Sequence, residues 1–166
     1  LERRVPITEK IFMRSSRGIY LLKDNFFKFW FKFVFENQEY VEQGKQEKLT
    51  DEKIIPELLG FTGRIFEEIA LSEMIRSGKY KDYLFGRWWD KSSEVDIVGI
   101  DKPNKRILIG EVKFKKLTRT EVHEIKNSLS EAAKKINTFG FQQKFVIICI
   151  DSYFEDSEID LIKLGA

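Results

Sequence analysis

The chain has 166 residues, a length that suits one ordinary domain or one domain with an accessory segment. Hydrophobic residues make up 42%, enough for a core, and no run approaches the roughly 20 apolar residues that a membrane span requires. Charged residues make up 34%, and 29 basic against 27 acidic residues leave a net charge of +2, which neither requires nor excludes a nucleic-acid partner.

The single cysteine, Cys149, excludes an internal disulfide and favours a reducing, cytoplasmic compartment. It lies in an apolar run and is predicted to pack in the core. The first residues contain no apolar segment typical of a signal peptide. Because the chain begins with Leu1 rather than Met, we expect it to be a fragment of a longer polypeptide.

The first part of the chain, residues 1–45, is aromatic and basic. A short strand is predicted at residues 19–22, followed by a helix that Asp24 or Asn25 caps. Aromatic residues recur along one side of this helix at helical spacing, and they are Phe26, Phe29, Trp30 and Phe33, with Val34. We expect this aromatic helix to pack against another domain. A stacking surface for nucleic-acid bases and a homo-oligomer contact are the alternatives.

Residues 46–166 are predicted to form one α/β domain after a short polar linker. Helices are predicted at residues 51–59, 60–77 and 120–137, and extended segments at 80–89, 94–100, 107–114 and 145–150. The last of these is wholly apolar, as in a buried strand. From residue 60 onward the order is α-β-β-β-α-β, which predicts a mixed central sheet flanked by helices.

The strands at 94–100 and 107–114 carry charges within an otherwise apolar hairpin. If the hairpin is symmetric about its turn, Asp101 faces Arg106, Asp96 faces Glu111, and Glu94 faces Lys113. Side chains alternate along a strand, so these carboxylates and Lys113 would share one face. Opposed Cβ atoms lie about 4.5–5.5 Å apart, close enough for Asp96 and Glu111 to bind one cation.

Two carboxylates this close repel each other, and Mg²⁺ or Mn²⁺ would neutralise them. Lys113 would then polarise a water molecule or stabilise charge on a phosphate group. A third carboxylate is expected from the helix at 60–77, where Glu67 lies on a more apolar flank than Glu68. The alternative is a plain ion pair between Glu94 and Lys113, with no metal.

Basic residues near this hairpin are candidates for contacts with a phosphate backbone. They are Lys115, Lys116, Arg87 and Arg119. The alternative for the lysines is that they keep an exposed strand soluble.

Four segments resemble a known family in their order along the chain. They read "GIYLLKDNFFKFWFKFV", "GRIFE", "GRWWDKSSEVDIV" and "GEVKFKK". The helix Glu, the strand Asp and the Glu-x-Lys sequence resemble the PD-(D/E)xK nuclease superfamily. The four segments together resemble the domain of unknown function that follows archaeal P-loop (DEXX-box type) ATPases, from about Arg4 to Ile150. Val95 stands where the classical nuclease motif has Pro.

The resemblance implies a restriction-endonuclease-like core, preceded by a winged-helix-type hairpin remnant. It implies a metal-dependent nuclease site at Glu67, Asp96, Glu111 and Lys113, with Mg²⁺ or Mn²⁺ as cofactor and DNA as substrate. It also implies ATPase and winged-helix domains upstream in the same polypeptide. No G-x-x-x-x-G-K-[ST] sequence occurs here, so we expect no ATP hydrolysis by this chain. The alternative function is a non-catalytic regulatory or interaction module of the ATPase.

Overall fold

A computed structural model describes residues 1–12, 18–136, 140–152 and 159–164. The contacts of the chain divide into two units, one of Leu1–Arg4 with Ile19–Ile65 and one of Val5–Gly18 with Phe66–Ala166. Within the described ranges, no helix is both long and apolar enough to cross a membrane. The predicted division into domains at residue 45 stays a prediction.

The first unit opens with a pair of short antiparallel strands, β1 (Glu2–Arg4) and β2 (Ile19–Leu21). After β2, the Asp24 carboxylate accepts hydrogen bonds from the backbone N–H groups of Phe26 and Phe27, at 2.8 and 3.3 Å. These bonds satisfy N–H groups that helix α2 (Asn25–Phe29) leaves unpaired in its first turn. The predicted strand and the Asp24 cap are therefore confirmed.

The chain stays helical beyond α2. A π-helical turn (Trp30–Val34) and a 3₁₀ turn (Phe35–Asn37) lead into α3 (Gln38–Glu42), α4 (Gln46–Leu49), a second π-helical turn (Thr50–Ile54) and α5 (Ile55–Arg76). The short polar linker was predicted to run into a helix near Thr50, which is wrong, because the chain is already helical from Gln46, where α4 begins. The prediction of two separate helices at 51–59 and 60–77 is also wrong, because α5 runs through Gly60 without a break.

Part of the aromatic surface of α2 packs within its own unit. Phe33 is buried, and the rings of Phe29 and Phe33 contact the ring of Phe61 in α5, with centroids 5.7 and 5.5 Å apart. Of the predicted face, only Phe26 is exposed, while Trp30 and Val34 are half-buried. Phe27, Phe31 and Phe35 lie outside that face and are exposed as well. The expected contact of this surface with another domain stays a prediction.

The second unit contains a five-stranded sheet in the order β3-β4-β5-β6-β7. The strands are β3 (Leu84–Trp89), β4 (Glu94–Asp101), β5 (Arg106–Leu117), β6 (Gln142–Ser152) and β7 (Ile159–Lys163). Strands β3, β4 and β5 are antiparallel neighbours, whereas β6 is parallel to β5 and β7 to β6. This is the mixed sheet that the sequence predicts, although β7 was not predicted.

Helices α6 and α1 both belong to the unit that contains this sheet. A parallel pair needs a crossover, and α6 (Arg119–Lys135) lies in the connection between β5 and β6. Thr118 and Glu121 form a reciprocal capping box at its start. Residue 137, where the helix was predicted to end, lies outside the described residues. The short helix α1 (Ile7–Phe12) precedes the sheet in the chain and contributes Ile7 to its core.

The core of the second unit consists of two clusters, and successive residues of β4 and β5 alternate between them. Helix α6 contributes to the cluster that contains Val98, Ile100, Ile107, Ile109 and Cys149. The segment of α5 from Phe66 onward contributes to the cluster that contains Ile97, Leu108 and Val112. The predicted burial of Cys149 is confirmed. The sheet is therefore covered by apolar residues on both faces.

We predict that Gly110→Ala lowers the free energy of unfolding by about 1–3 kcal/mol. A Cβ atom at this position would lie 2.5 Å from Cγ1 of Val146 and 3.1 Å from its backbone oxygen, in the centre of the sheet. Urea unfolding measures the effect. Gly63→Ala is the control, because no atom lies within 4 Å of a Cβ there, and we expect up to about 1 kcal/mol of stabilisation in the helix. Equal effects of the two changes would contradict the packing argument.

Candidate active site

The candidate site lies where the pairing of β4 with β5 ends. The hairpin pairs Asp101 with Arg106 and continues to Ile97 with Gly110, which confirms the predicted register over this segment. On the other side of β4, Gly86 pairs with Val98 but Trp88 pairs with Val95. Two steps along β3 therefore match three along β4, so β4 contains an extra residue in the segment that includes Asp96.

At this irregular point the Asp96 carboxylate, rather than a backbone carbonyl of β4, accepts a hydrogen bond from β5. Its Oδ2 atom accepts a hydrogen bond of 2.9 Å from the backbone N–H of Val112 in β5. The bond anchors the carboxylate beside Glu111 and Lys113, which flank Val112 in the chain. The predicted proximity of the β4 carboxylate to the Glu-x-Lys segment is thus produced by a side-chain bond to the backbone.

Lys113 pairs with Glu111 in the same strand. The Lys113 Nζ atom donates a hydrogen bond of 2.6 Å to Oε1 of Glu111. Burial by itself lowers the pKa of Lys113, but the hydrogen bond and charge of Glu111, with the charges of Asp96 and Glu67, outweigh it and raise that pKa. The ammonium group therefore stays charged. The alternative of an ion pair between Glu94 and Lys113 is wrong in this structure, since Glu94 lies beside Arg87.

Glu67 reaches the site from α5 and is held by an arginine. The Arg87 Nη1 atom of β3 lies 2.7 Å from Oε2 of Glu67 and 3.8 Å from Oε1 of Glu94. The side chains of Arg87 and Glu67 are only 16% and 22% exposed, so this ion pair is partly shielded from water. The Glu67 side chain thus points toward the strands, as its more apolar flank predicts.

The Asp96 carboxyl is the most perturbed group of the site. Burial, followed by the charges of Glu111 and Glu67, raises its pKa to about 7. The N–H of Val112 and the charge of Arg87 oppose this shift without cancelling it. Three carboxylates therefore share two cations, and Asp96 is the carboxylate whose ionised form is disfavoured.

The predicted metal ligands do not form a ready-made cage. Among the described residues, no group of three or more His, Cys, Asp or Glu side chains is arranged to hold a metal ion. A hard divalent cation, however, is often held by one or two carboxylates and keeps several waters. Asp96 and Glu111 fit that requirement, because both offer oxygen atoms and their repulsion is what a cation would relieve. Glu67 as a third ligand stays a prediction.

Three of the four basic residues predicted to bind a phosphate backbone lie around the end of β5, and the fourth, Arg87, lies on β3. Lys115 bonds to Glu121 in the first turn of α6, and Lys116 lies 2.8 Å from Asp151 of β6. Arg119 is exposed at the start of α6, and Arg87 holds Glu67. The sequence contained no signal for the partners of Lys116 and Arg87, because these pairs join separate elements. The nucleic-acid role of all four residues stays a prediction.

A separate groove lies at the opposite ends of β5 and β6. It encloses about 370 Å³, and Lys79, Arg106 and Lys144 are among its lining residues. Arg106 precedes Glu111 by five residues in β5, which places the groove about 16 Å from the acidic site. Lys79 and Lys144 both form ion pairs with Asp160 of β7, at 3.2 and 2.8 Å, and these pairs link β7 to the neighbouring elements. Sequence reasoning missed this cluster, because β7 itself was not predicted.

Fold and site together define a mixed α/β protein with a cluster of carboxylates and cations where the pairing of β4 with β5 ends. The chain belongs to the DUF234 family, described as archaea bacterial proteins of unknown function, whose profile matches residues 30–125. It is 30% identical over 153 residues to an uncharacterized protein of Methanocaldococcus jannaschii. That alignment covers 89% of this chain but only 34% of the relative, so the chain spans about a third of the relative's length.

Among solved structures, the chain is similar to a repair endonuclease from Pyrococcus abyssi. The TM-score is 0.40 at 17% sequence identity, and the match covers 58% of this chain and 46% of that one. A likeness at this level assigns no function to the present chain.

We predict that the free energy of unfolding of Asp96→Asn, measured relative to that of wild type, increases as the pH rises from about 4 to about 8. The folded protein holds the Asp96 proton up to a pKa of about 7, whereas the unfolded chain releases it near the ordinary aspartate pKa of 3.8. Wild-type stability therefore falls as the pH rises through this interval, by on the order of 2–4 kcal/mol. Asparagine carries no ionisable proton, so the variant lacks this decrease.

Urea unfolding in a chelator, at pH values across this interval, measures the difference between the two proteins. Parallel stability profiles for wild type and Asp96→Asn would contradict the assignment of the shift to Asp96.

Proposed function

We propose that this chain is a nuclease-like domain of the PD-(D/E)xK type that binds DNA and hydrolyses phosphodiester bonds with Mg²⁺ or Mn²⁺. The observation that carries the proposal is the convergence of Asp96, Glu111 and Lys113 at the end of the β4–β5 pairing. The observed order α5-β3-β4-β5-α6-β6 supports it, since this is the order of the restriction-endonuclease-like core that the sequence motifs imply.

In this proposal the carboxylates and the lysine have separate tasks. Asp96 and Glu111 would hold the cation, and Glu67 would support it or orient a water molecule. The metal, when bound, would lower the pKa of a water molecule and polarise a phosphoryl oxygen. Lys113, whose raised pKa keeps it protonated, would donate a hydrogen bond to a phosphate oxygen or to the attacking water.

The same proposal includes the context of the domain. The β1–β2 pair would be the hairpin remnant of a winged-helix module, and an ATPase domain would precede it in the polypeptide. Lys115, Lys116 and Arg119, at the end of β5 and the start of α6, would contact the DNA backbone. The large unmatched part of the M. jannaschii relative leaves room for such upstream domains in that protein.

We predict that the wild-type chain binds Mn²⁺ and nicks plasmid or branched DNA, and that Asp96→Ala abolishes both properties. Lys113→Ala should retain Mn²⁺ binding but reduce the cleavage rate by about 100-fold or more, because it removes the donor but no ligand. Isothermal titration calorimetry measures the first property and gel electrophoresis of the DNA measures the second.

The matched control is Lys134→Ala, which removes an exposed lysine that pairs with Glu131 on α6. It should behave as wild type in both assays. Equal cleavage by all variants, or cleavage by none, would contradict a nuclease activity. Mn²⁺ binding that Asp96→Ala leaves unchanged would contradict the assignment of the ligands.

A second candidate function is that of a non-catalytic interaction module of an ATPase. The observation that favours it is the exposed aromatic surface of Phe26, Phe27, Phe31 and Phe35, which are 67%, 49%, 41% and 48% exposed. An apolar patch of this kind is typical of a surface that binds another protein. The two functions are compatible, because the aromatic surface and the acidic site belong to different units of the chain.

We predict that Phe27→Glu combined with Phe31→Glu abolishes association with an ATPase segment, whereas Asp96→Ala leaves it intact. The charges oppose burial of the aromatic surface but lie outside the unit that contains the acidic site. A pull-down with the part of the M. jannaschii relative that this chain does not match is the measurement. Sedimentation of the chain alone tests the remaining alternative, self-association through the same surface. Association that depends on Asp96 would contradict this function.

A further inference from the structure

The two cations of the candidate site are each assigned to one carboxylate. Lys113 bonds to Glu111 at 2.6 Å, and Arg87 bonds to Glu67 at 2.7 Å. Asp96 has the backbone N–H of Val112 as its hydrogen-bond donor. A divalent cation at Asp96 would therefore meet two carboxylates that already have positively charged partners.

Arg87 differs from Lys113 in its position and in its chemistry. It lies on β3, and its side chain is 16% exposed, while the nearby Glu94 carboxylate, 3.8 Å away, is 62% exposed. The guanidinium group thus extends between a shielded carboxylate and the solvent-facing start of β4. A guanidinium fork binds carboxylate and phosphate oxygens in the same bidentate geometry, so it can exchange one for the other without losing its hydrogen bonds.

We propose that Arg87 is a positioning residue that serves as the counter-ion of Glu67 and passes to a nucleic-acid phosphate when a divalent cation takes that carboxylate. The inference rests on the proposed nuclease function and deepens it. Arg87 then competes with the metal for Glu67, and it links metal binding to the binding of the nucleic acid. The competing explanation is that the Arg87–Glu67 pair only fastens α5 to β3.

The two explanations predict opposite changes in Mn²⁺ affinity when Arg87 is removed. A purely structural pair predicts that removing Arg87 destabilises the fold and leaves Mn²⁺ affinity unchanged or lower. If Arg87 is a counter-ion, its removal should raise Mn²⁺ affinity. Without its positive charge, the repulsion among Glu67, Asp96 and Glu111 is larger, and a bound cation relieves it.

The experiment compares wild type with Arg87→Met, which keeps an unbranched apolar side chain but removes the guanidinium group and its charge. We expect calorimetry on the 166-residue chain to show Mn²⁺ binding about tenfold tighter in Arg87→Met. Arg87→Lys retains the charge and should stay near the wild-type affinity. Arg76→Met is the matched control, since Arg76 pairs with Glu73 on the exposed side of α5 and should leave the affinity unchanged.

A second measurement follows the nucleic acid. In a Lys113→Ala background, which suppresses cleavage, Arg87→Met should weaken Mn²⁺-dependent binding of a fluorescent DNA duplex by about tenfold, as expected for one lost phosphate contact. Tighter metal binding together with weaker DNA binding is the result that supports the exchange.

Mn²⁺ affinity that Arg87→Met leaves unchanged or weakens would overturn this inference while the nuclease proposal stands. Absence of Mn²⁺ binding to the wild type would contradict both. If Arg87→Met does not fold, Glu67→Gln removes the same pair from its other side. It should weaken Mn²⁺ binding, and an unchanged affinity would again overturn the exchange.

Discussion

The hydrogen bond from the Val112 N–H to the Asp96 carboxylate is the contact on which the candidate site depends. The β4–β5 pairing ends at Ile97 and Gly110, and beyond that point β5 would otherwise have an unpaired N–H. An unpaired buried N–H is costly, so the carboxylate that satisfies it contributes to the fold and is fixed in place at the same time. This one bond brings a residue of β4 to the Glu-x-Lys segment of β5.

The charge balance of the site follows from that placement. Asp96 is drawn into a partly buried position beside Glu111 and Glu67, and its pKa rises to about 7 as a result. Lys113 and Arg87 each neutralise one of the two glutamates. The protein thus tolerates three carboxylates in a small volume by pairing two of them and disfavouring the ionised form of the third. Such an arrangement is typical of sites that bind a cation or perform acid–base chemistry.

The chain carries two kinds of surface, and they belong to separate units. The unit that contains Phe66–Ala166 carries the acidic site, and the unit that contains Ile19–Ile65 carries exposed aromatic side chains. Hydrolysis of a phosphodiester bond needs only the first, whereas docking to a larger polypeptide needs only the second.

The sequence by itself determined the elements whose cause is local. Periodicity and turn chemistry predicted β4, β5, α6 and the register that pairs Asp101 with Arg106, because these depend on residues close together in the chain. The Asp24 cap followed for the same reason. Only the tertiary structure decided the extra residue in β4, the bond of Asp96 to Val112, the pairing of Glu67 with Arg87 and the strand β7 held by Asp160. Each of these depends on how separate elements meet, and neither propensity nor alternation within one strand encodes which partner a charged side chain finds.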